Sequence, residues 1–213
     1  MERNMTSQLD RITGITEQLL NALNVPAHLH GSELAETPAR VARAWLDQIE
    51  GYKERPEDVL GDLFQVSAPR SAPRPPSSMV QSMRPISFAS TCMHHLQPFF
   101  GVAKVAYIPT QREDGTRATA GAGRLVKLVN MYARRLTMQE RIAEEVAHAL
   151  LEHAHAEGAL VILNCRHTCL CGRGIRQRSS EVGTLYGVGT LSANYPLHVT
   201  AVKMLDPTPR SAV

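Results

Sequence analysis

The run Gly158-Ala159-Leu160-Val161-Ile162-Leu163-Asn164-Cys165-Arg166-His167-Thr168-Cys169-Leu170-Cys171 decides how this chain is read. Ala159 to Asn164 is short, aliphatic and partly β-branched, which predicts a buried strand. Directly behind it stand a histidine and three of the four cysteines in the chain, groups that can project from a strand end into a site. Before it come two helical patterns. Leu125, Leu128, Val129 and Tyr132 recur at i, i+3, i+4 and i+7; Ile142, Val146, Ala149 and Leu150 form the second, which stops before Gly158. Strands are predicted upstream over Ile86 to Ala89 and Val102 to Ile108, with a weaker one downstream over Thr184 to Leu191. The order strand, strand, helix, helix, strand, strand predicts an α+β fold with two helices on one face of a mainly antiparallel sheet.

Toward the N-terminus, Leu9, Ile12, Ile15, Leu19, Leu20 and Leu23 describe an amphipathic helix from about residue 6 to 24 that needs a partner surface. Thr37-Pro38 reads as an N-cap followed by proline at the first helical position, opening a second helix through Val41, Trp45 and Ile49. The stretch 66–80, VSAPRSAPRPPSSMV, is too rich in proline, serine and arginine to pair in a sheet and predicts an exposed linker. The expected organisation is therefore an N-terminal helical region (1–65), the linker (66–80), a catalytic domain (81–206) and a flexible tail (207–213).

At 213 residues the chain supports one core, and its 43% hydrophobic and 20% charged residues are ordinary for a soluble protein. No apolar run approaches the roughly 18 residues that span a bilayer, and the N-terminus lacks a secretory pattern, so no membrane partner and a cytoplasmic location are expected. In a reducing compartment Cys92, Cys165, Cys169 and Cys171 read as metal ligands, reactive thiols or small core residues rather than disulfides. A net charge of +3 is too small to imply a nucleic-acid partner. The basic segment Arg173 to Arg178 also lacks the interleaved aromatics that stack on bases.

Cys92-Met93-His94-His95 sets a thiol and an imidazole three residues apart, able to converge on one ion from a tight turn or helix start. With the later cysteines it points to zinc. Two site types stay open: Cys92, His95, Cys169 and Cys171 closing a structural tetrahedron, or three protein ligands with a fourth position free for water. Cys165 and Cys171 also suit small core positions. Thr137-Met138-Gln139-Glu140 fits a capping box.

Ser90-Thr91-Cys92-Met93-His94-His95, Pro98-Phe99-Phe100-Gly101, Val105-Ala106-Tyr107-Ile108-Pro109, Ala133-Arg134-Arg135, Gln139-Glu140-Arg141, His167-Thr168-Cys169 and Arg173-Gly174-Ile175-Arg176 closely resemble GTP cyclohydrolase I in order and spacing. Glu36 to Ala42 matches as well, so the resemblance runs over about residues 30 to 190. It implies a tunnelling fold (T-fold), assembly into a homodecamer with active sites between subunits, and zinc held by Cys92, His95 and Cys169. The implied activity is hydrolysis of a guanine nucleotide at C8, with GTP going to 7,8-dihydroneopterin triphosphate and formate on the way to tetrahydrofolate. His94 and His167 fall on the catalytic histidines. Glu140, with Gln139 beside it, falls on the guanine-binding positions, and Arg173, Arg124, Lys127, Arg40 and Arg43 fall on basic positions suited to the triphosphate.

The chain departs from the family pattern at Met93, where an acidic residue is usual, and at Ala122-Gly123, which replaces Leu-Ser. Lys and Arg are also exchanged at Arg124 and Lys127. These changes keep one alternative in view, a paralogue acting on a modified guanine nucleotide such as 8-oxo-GTP or stopping after ring opening. The possible fourth ligand Cys171 keeps another, a zinc-stabilised, non-catalytic binding module.

Overall fold

The computed structural model describes residues 2–30, 33–67, 81–193 and 195–206. Two compact units divide the chain, Met1–Glu50 and Gly51–Val213. In the first, α1 (Glu2–Ala22), α2 (Ala27–His30) and α3 (Thr37–Gln48) follow one another. α1 starts before residue 6 because Glu2 to Met5 contain neither glycine nor proline to stop it. It packs on α3, yet Ile15, Leu19 and Leu23 stay more than half exposed. The N-cap of α3 is Glu36, not the expected Thr37, and no side chain caps it. Thr37 is already helical, its N–H donating to the Leu34 carbonyl, which moves Pro38 to the second helical position.

The second unit runs α4 (Pro56–Leu60), β1 (Phe64–Ser67), β2 (Gln81–Cys92), β3 (Gln97–Pro109), β4 (Thr116–Thr119), α5 (Ala122–Ala133), β5 (Leu136–Thr137), α6 (Gln139–His153), β6 (Ala156–His167), α7 (Thr168–Cys171), β7 (Val182–Gly189), α8 (Thr190–Ala193) and α9 (Tyr195–Leu205). Its main sheet has the order β5-β2-β3-β6-β7, antiparallel except for the short parallel pair of β5 with β2. This is the expected α+β arrangement, with α5 and α6 on one face. β2, β3 and β6 extend beyond their apolar centres because polar end residues such as Gln97 and His167 still find ladder partners, Cys92 and Phe99 respectively. β1 pairs with β4 in a separate ladder, so positions 66 and 67 of the predicted linker are strand; residues 68–80 and the tail 207–213 lie outside the described residues.

Alternation along β3 builds two cores. Val105 and Tyr107 face α5 and α6 in the larger one, with Phe99, Leu128, Ile142, Val146, Leu150, Val161 and Leu163. Ala106 and Ile108 face the other way, and there Leu191, Ala201 and Leu205 of α8 and α9 join Leu160 in a smaller cluster. The second face is thus partly covered by a helix that sequence periodicity did not predict. Each fully buried Leu, Ile or Phe contributes roughly 1.5–3 kcal/mol. Backbones of β3 and β6 approach closely at Gly101, where a Cβ would come within 2.6 Å of the Asn164 carbonyl oxygen and closer still to the Cys165 sulfur. No helix among the described residues is long and apolar enough to cross a membrane.

Candidate functional site

β2 ends on Cys92, and the chain reverses through Met93–Leu96 into β3. The N–H groups of His95 and Leu96 both donate to the Cys92 carbonyl, and Leu96 closes the turn at φ +51°. This tight turn, one of the two geometries the CxxH spacing allowed, brings Cys92 Sγ within 3.8 Å of His95 Nδ1. The third donor comes from the end of β6, where α7 makes a single turn and Thr168 Oγ1 donates to the Pro98 carbonyl at 2.6 Å. That pin fixes α7 to the start of β3. Donor atoms of Cys92, His95 and Cys169 all lie within 4.8 Å of one another, the only such convergent group of His, Cys, Asp or Glu among the described residues. Two sulfurs and one imidazole nitrogen fit a borderline-soft tetrahedral ion such as zinc, with one position left over.

Pairing positions the remaining groups. Cys92 is opposite Thr137 of β5, so the first turn of α6 opens beside the metal ligands. Phe99 is opposite His167 across the β3/β6 ladder, and their rings stack at 4.5 Å and 10°. Phe99 is fully buried and meets Phe88 edge-on at 6.3 Å, so the imidazole rests on a fixed platform. His167 Nε2 lies 2.9 Å from Gln139 Oε1. The cleft so formed has a volume of roughly 350 Å³ and takes in His94, Glu140, Met138, Leu170 and Val182 besides the residues above. Its mixture of flat apolar surface and a few convergent polar groups is that of a small-molecule site.

Burial pushes the His167 pKa below its ordinary value, opposed by the nearby Glu140 carboxylate. The ring is accordingly neutral at pH 7 and able to accept a proton. Burial, followed by the neighbouring Cys92 thiol, pushes the Cys169 thiol up, against the pull of Arg173. A cation taking both sulfurs must therefore displace protons, which makes its affinity pH-dependent. Cys165 is a core residue, its thiol pushed up to about 12 mainly by burial.

The structure brings Cys92, His94, His95, Gln139, Glu140, His167 and Cys169 together around one cleft. It does not bring in the cations. Arg173 is exposed beyond α7, Lys127 is exposed on α5, and Arg124 donates to the Val59 carbonyl at 3.2 Å. Arg40 and Arg43 belong to the N-terminal unit, where Arg40 pairs with Glu36 at 2.5 Å. Cys171 is partly buried and stands outside the convergent donor set. The capping box does not form: Met138 is the N-cap, and the Thr137 hydroxyl donates to the Met138 carbonyl instead. Glu140 is left exposed in the first turn of α6 with its carboxylate free to face the cleft. The link from Gln139 to His167 carries no spacing signal and was not foreseen.

A family model described as GTP cyclohydrolase I matches residues 12–206. Similar proteins include a GTP cyclohydrolase 1 of Thermobifida fusca, 37% identical over 195 residues, covering 92% of this chain and 87% of that one. One from Nitrosospira multiformis is 38% identical over 181 residues, covering 85% and 87%. One from Streptomyces coelicolor is 40% identical over 151 residues, covering 71% and 69%. Among solved structures, an archaeosine synthase QueF-Like in the apo form aligns with 55% of this chain and 97% of its own at a TM-score of 0.39 and 18% identity, too weak a likeness to bear on function.

Proposed function

This chain belongs to the GTP cyclohydrolase I family, and from that premise we propose that it is a zinc-dependent hydrolase converting GTP to 7,8-dihydroneopterin triphosphate and formate. The observation that carries the reading is the convergence of Cys92, His95 and Cys169 in a cleft that also holds His94, His167 and Glu140. In such a donor set zinc supplies Lewis acidity that makes water nucleophilic near neutral pH, suited to attack at purine C8.

The protein's own groups divide the remaining work. Phe99, Met138, Leu170 and Val182 give the cleft the apolar surface a purine needs. The Glu140 carboxylate matches the paired donors on the N1 and 2-amino edge of guanine. Neutral His167 accepts a proton as the imidazole ring opens, and exposed His94 exchanges protons with solvent across the cleft. Among the described residues no lysine or arginine lines the cleft of a single chain, so the four negative charges of a triphosphate call for cations from Arg173 and from a second copy. Lys127 and Arg124 on α5, and Arg40 and Arg43, are the candidates. This supports an oligomer with active sites between subunits, the decamer of the resemblance, working in the cytoplasm.

The test is incubation of the zinc-loaded protein with GTP and, separately, with 8-oxo-GTP, following formate release and pterin fluorescence. Formate and a pterin from GTP are expected. Turnover of 8-oxo-GTP alone would replace this reading with the modified-nucleotide paralogue, and zinc binding without turnover of either would replace it with the binding module.

A further inference from the structure

Gln139 is 1% exposed, and its amide nitrogen is surrounded by acceptors. The two hydrogens of Nε2 are shared among three acceptors, the carbonyl oxygens of Val182 at 2.8 Å and Leu163 at 3.2 Å and Thr184 Oγ1 at 3.0 Å. Carbonyl oxygens only accept, so the amide nitrogen has to face them and the amide cannot be turned over. Oε1 is then the atom that meets His167 Nε2 at 2.9 Å. An amide oxygen also only accepts, which requires the proton to sit on Nε2.

We infer that Gln139 is a positioning residue that locks His167 in its Nε2–H tautomer, so that the ring's lone pair stands on Nδ1. Two restraints act independently, because the stack on Phe99 fixes the ring plane while Gln139 fixes which nitrogen carries hydrogen. The opposite tautomer sets two lone pairs against each other inside the protein, an arrangement as costly as leaving a buried acceptor without a donor. The order of dependence runs from Val182 and Leu163, through the amide, to the imidazole. It explains why a glutamine, with a donor and an acceptor at opposite corners of one rigid group, stands at the start of α6. The catalytic half of the inference rests on the reading of His167 as a proton carrier; the tautomer does not.

Nitrogen NMR of the zinc-loaded protein carrying labelled histidine, with His167→Asn to assign the signals, tests the lock directly above the pH at which the ring titrates. A pyrrole-type Nε2 and a pyridine-type Nδ1 are expected; the reverse assignment overturns the inference. Gln139→Met keeps the length and removes the acceptor. It is expected to mix the tautomers and lower kcat on the order of 10²-fold with KM for GTP and zinc content little changed. Mixed tautomers with unchanged kcat, or a loss confined to KM, would remove the positioning role. Gln139→Glu, protonated at this buried position, donates to a carbonyl with one oxygen and accepts from His167 with the other. It should restore the single tautomer and part of the rate, and it decides the matter if the methionine variant does not fold: a proton on Nδ1 there overturns the lock. If the wild-type enzyme turns over no GTP, the functional reading fails while the spectrum still judges the tautomer.

Discussion

On α6, Glu145 holds its Oε2 buried with no hydrogen-bond partner. Burial pushes its pKa up, against the opposing pull of Arg135 and Arg141. The sign follows from linkage: the folded chain binds this proton more tightly than the unfolded one, so the group favours folding below its ordinary value of 4.5, and that contribution is lost as pH rises through the folded value. Glu145→Gln, uncharged at every pH, is therefore expected to melt higher than wild type near pH 7, with the difference closing toward about pH 4. Thermal melts across that range check it; a lower melting temperature at neutral pH sinks it. At this scale the candidate site was legible where residue chemistry is rare. Thiols and imidazoles at Cys92, His94, His95, His167 and Cys169 have few bland uses in such patterns, and the structure gathers all five around one cleft. Gln139 was not legible in its relation to His167, since an amide has many roles and its partners Leu163, Val182 and Thr184 lie on two other strands.

Elements carry that chemistry through register. The pairs Phe99↔His167 and Gly101↔Cys165 stand two rungs apart on the β3/β6 ladder, with Phe100↔Arg166 between them, so a disturbance at one is felt at the other. Gly101→Ala drives a methyl group against the Cys165 side chain and the Asn164 carbonyl, and overpacking of this kind costs about 1–3 kcal/mol. Denaturant unfolding should show that loss, together with weakened zinc affinity in a competition titration; an unchanged midpoint would mean the two strands yield without cost. β2, β3 and β6 were readable as apolar runs because their centres are buried, whereas β7, with glycines inside it and no buried residue, gave a weaker signal. Their ends, the two-residue β5 and the short α7 were not, because pairing rather than composition holds them. The cap of α6 failed for a related reason: Thr137 is taken into β5, which leaves Met138 as cap and frees Glu140 from a backbone role.

For the whole molecule, the position of positive charge matters most. Among the described residues the cleft of one chain has no lysine or arginine, while Arg124 and Lys127 lie on α5 outside it. Co-expressing a Cys169→Ser chain with an Arg124→Ala/Lys127→Ala chain should therefore restore GTP turnover that neither shows alone, because mixed oligomers then contain some complete sites. Formate assays on the purified mixture check this, and no recovery would place the whole site within one chain. The sheet order β2-β3-β6 also imposes a timetable on synthesis. Cys92 and His95 leave the ribosome well before Cys169, which cannot join them until β6 has been made and zipped onto β3. Metal capture is thus among the last events in the maturation of each chain, and a product truncated ahead of α7 is a two-donor fragment with a weak hold on any ion.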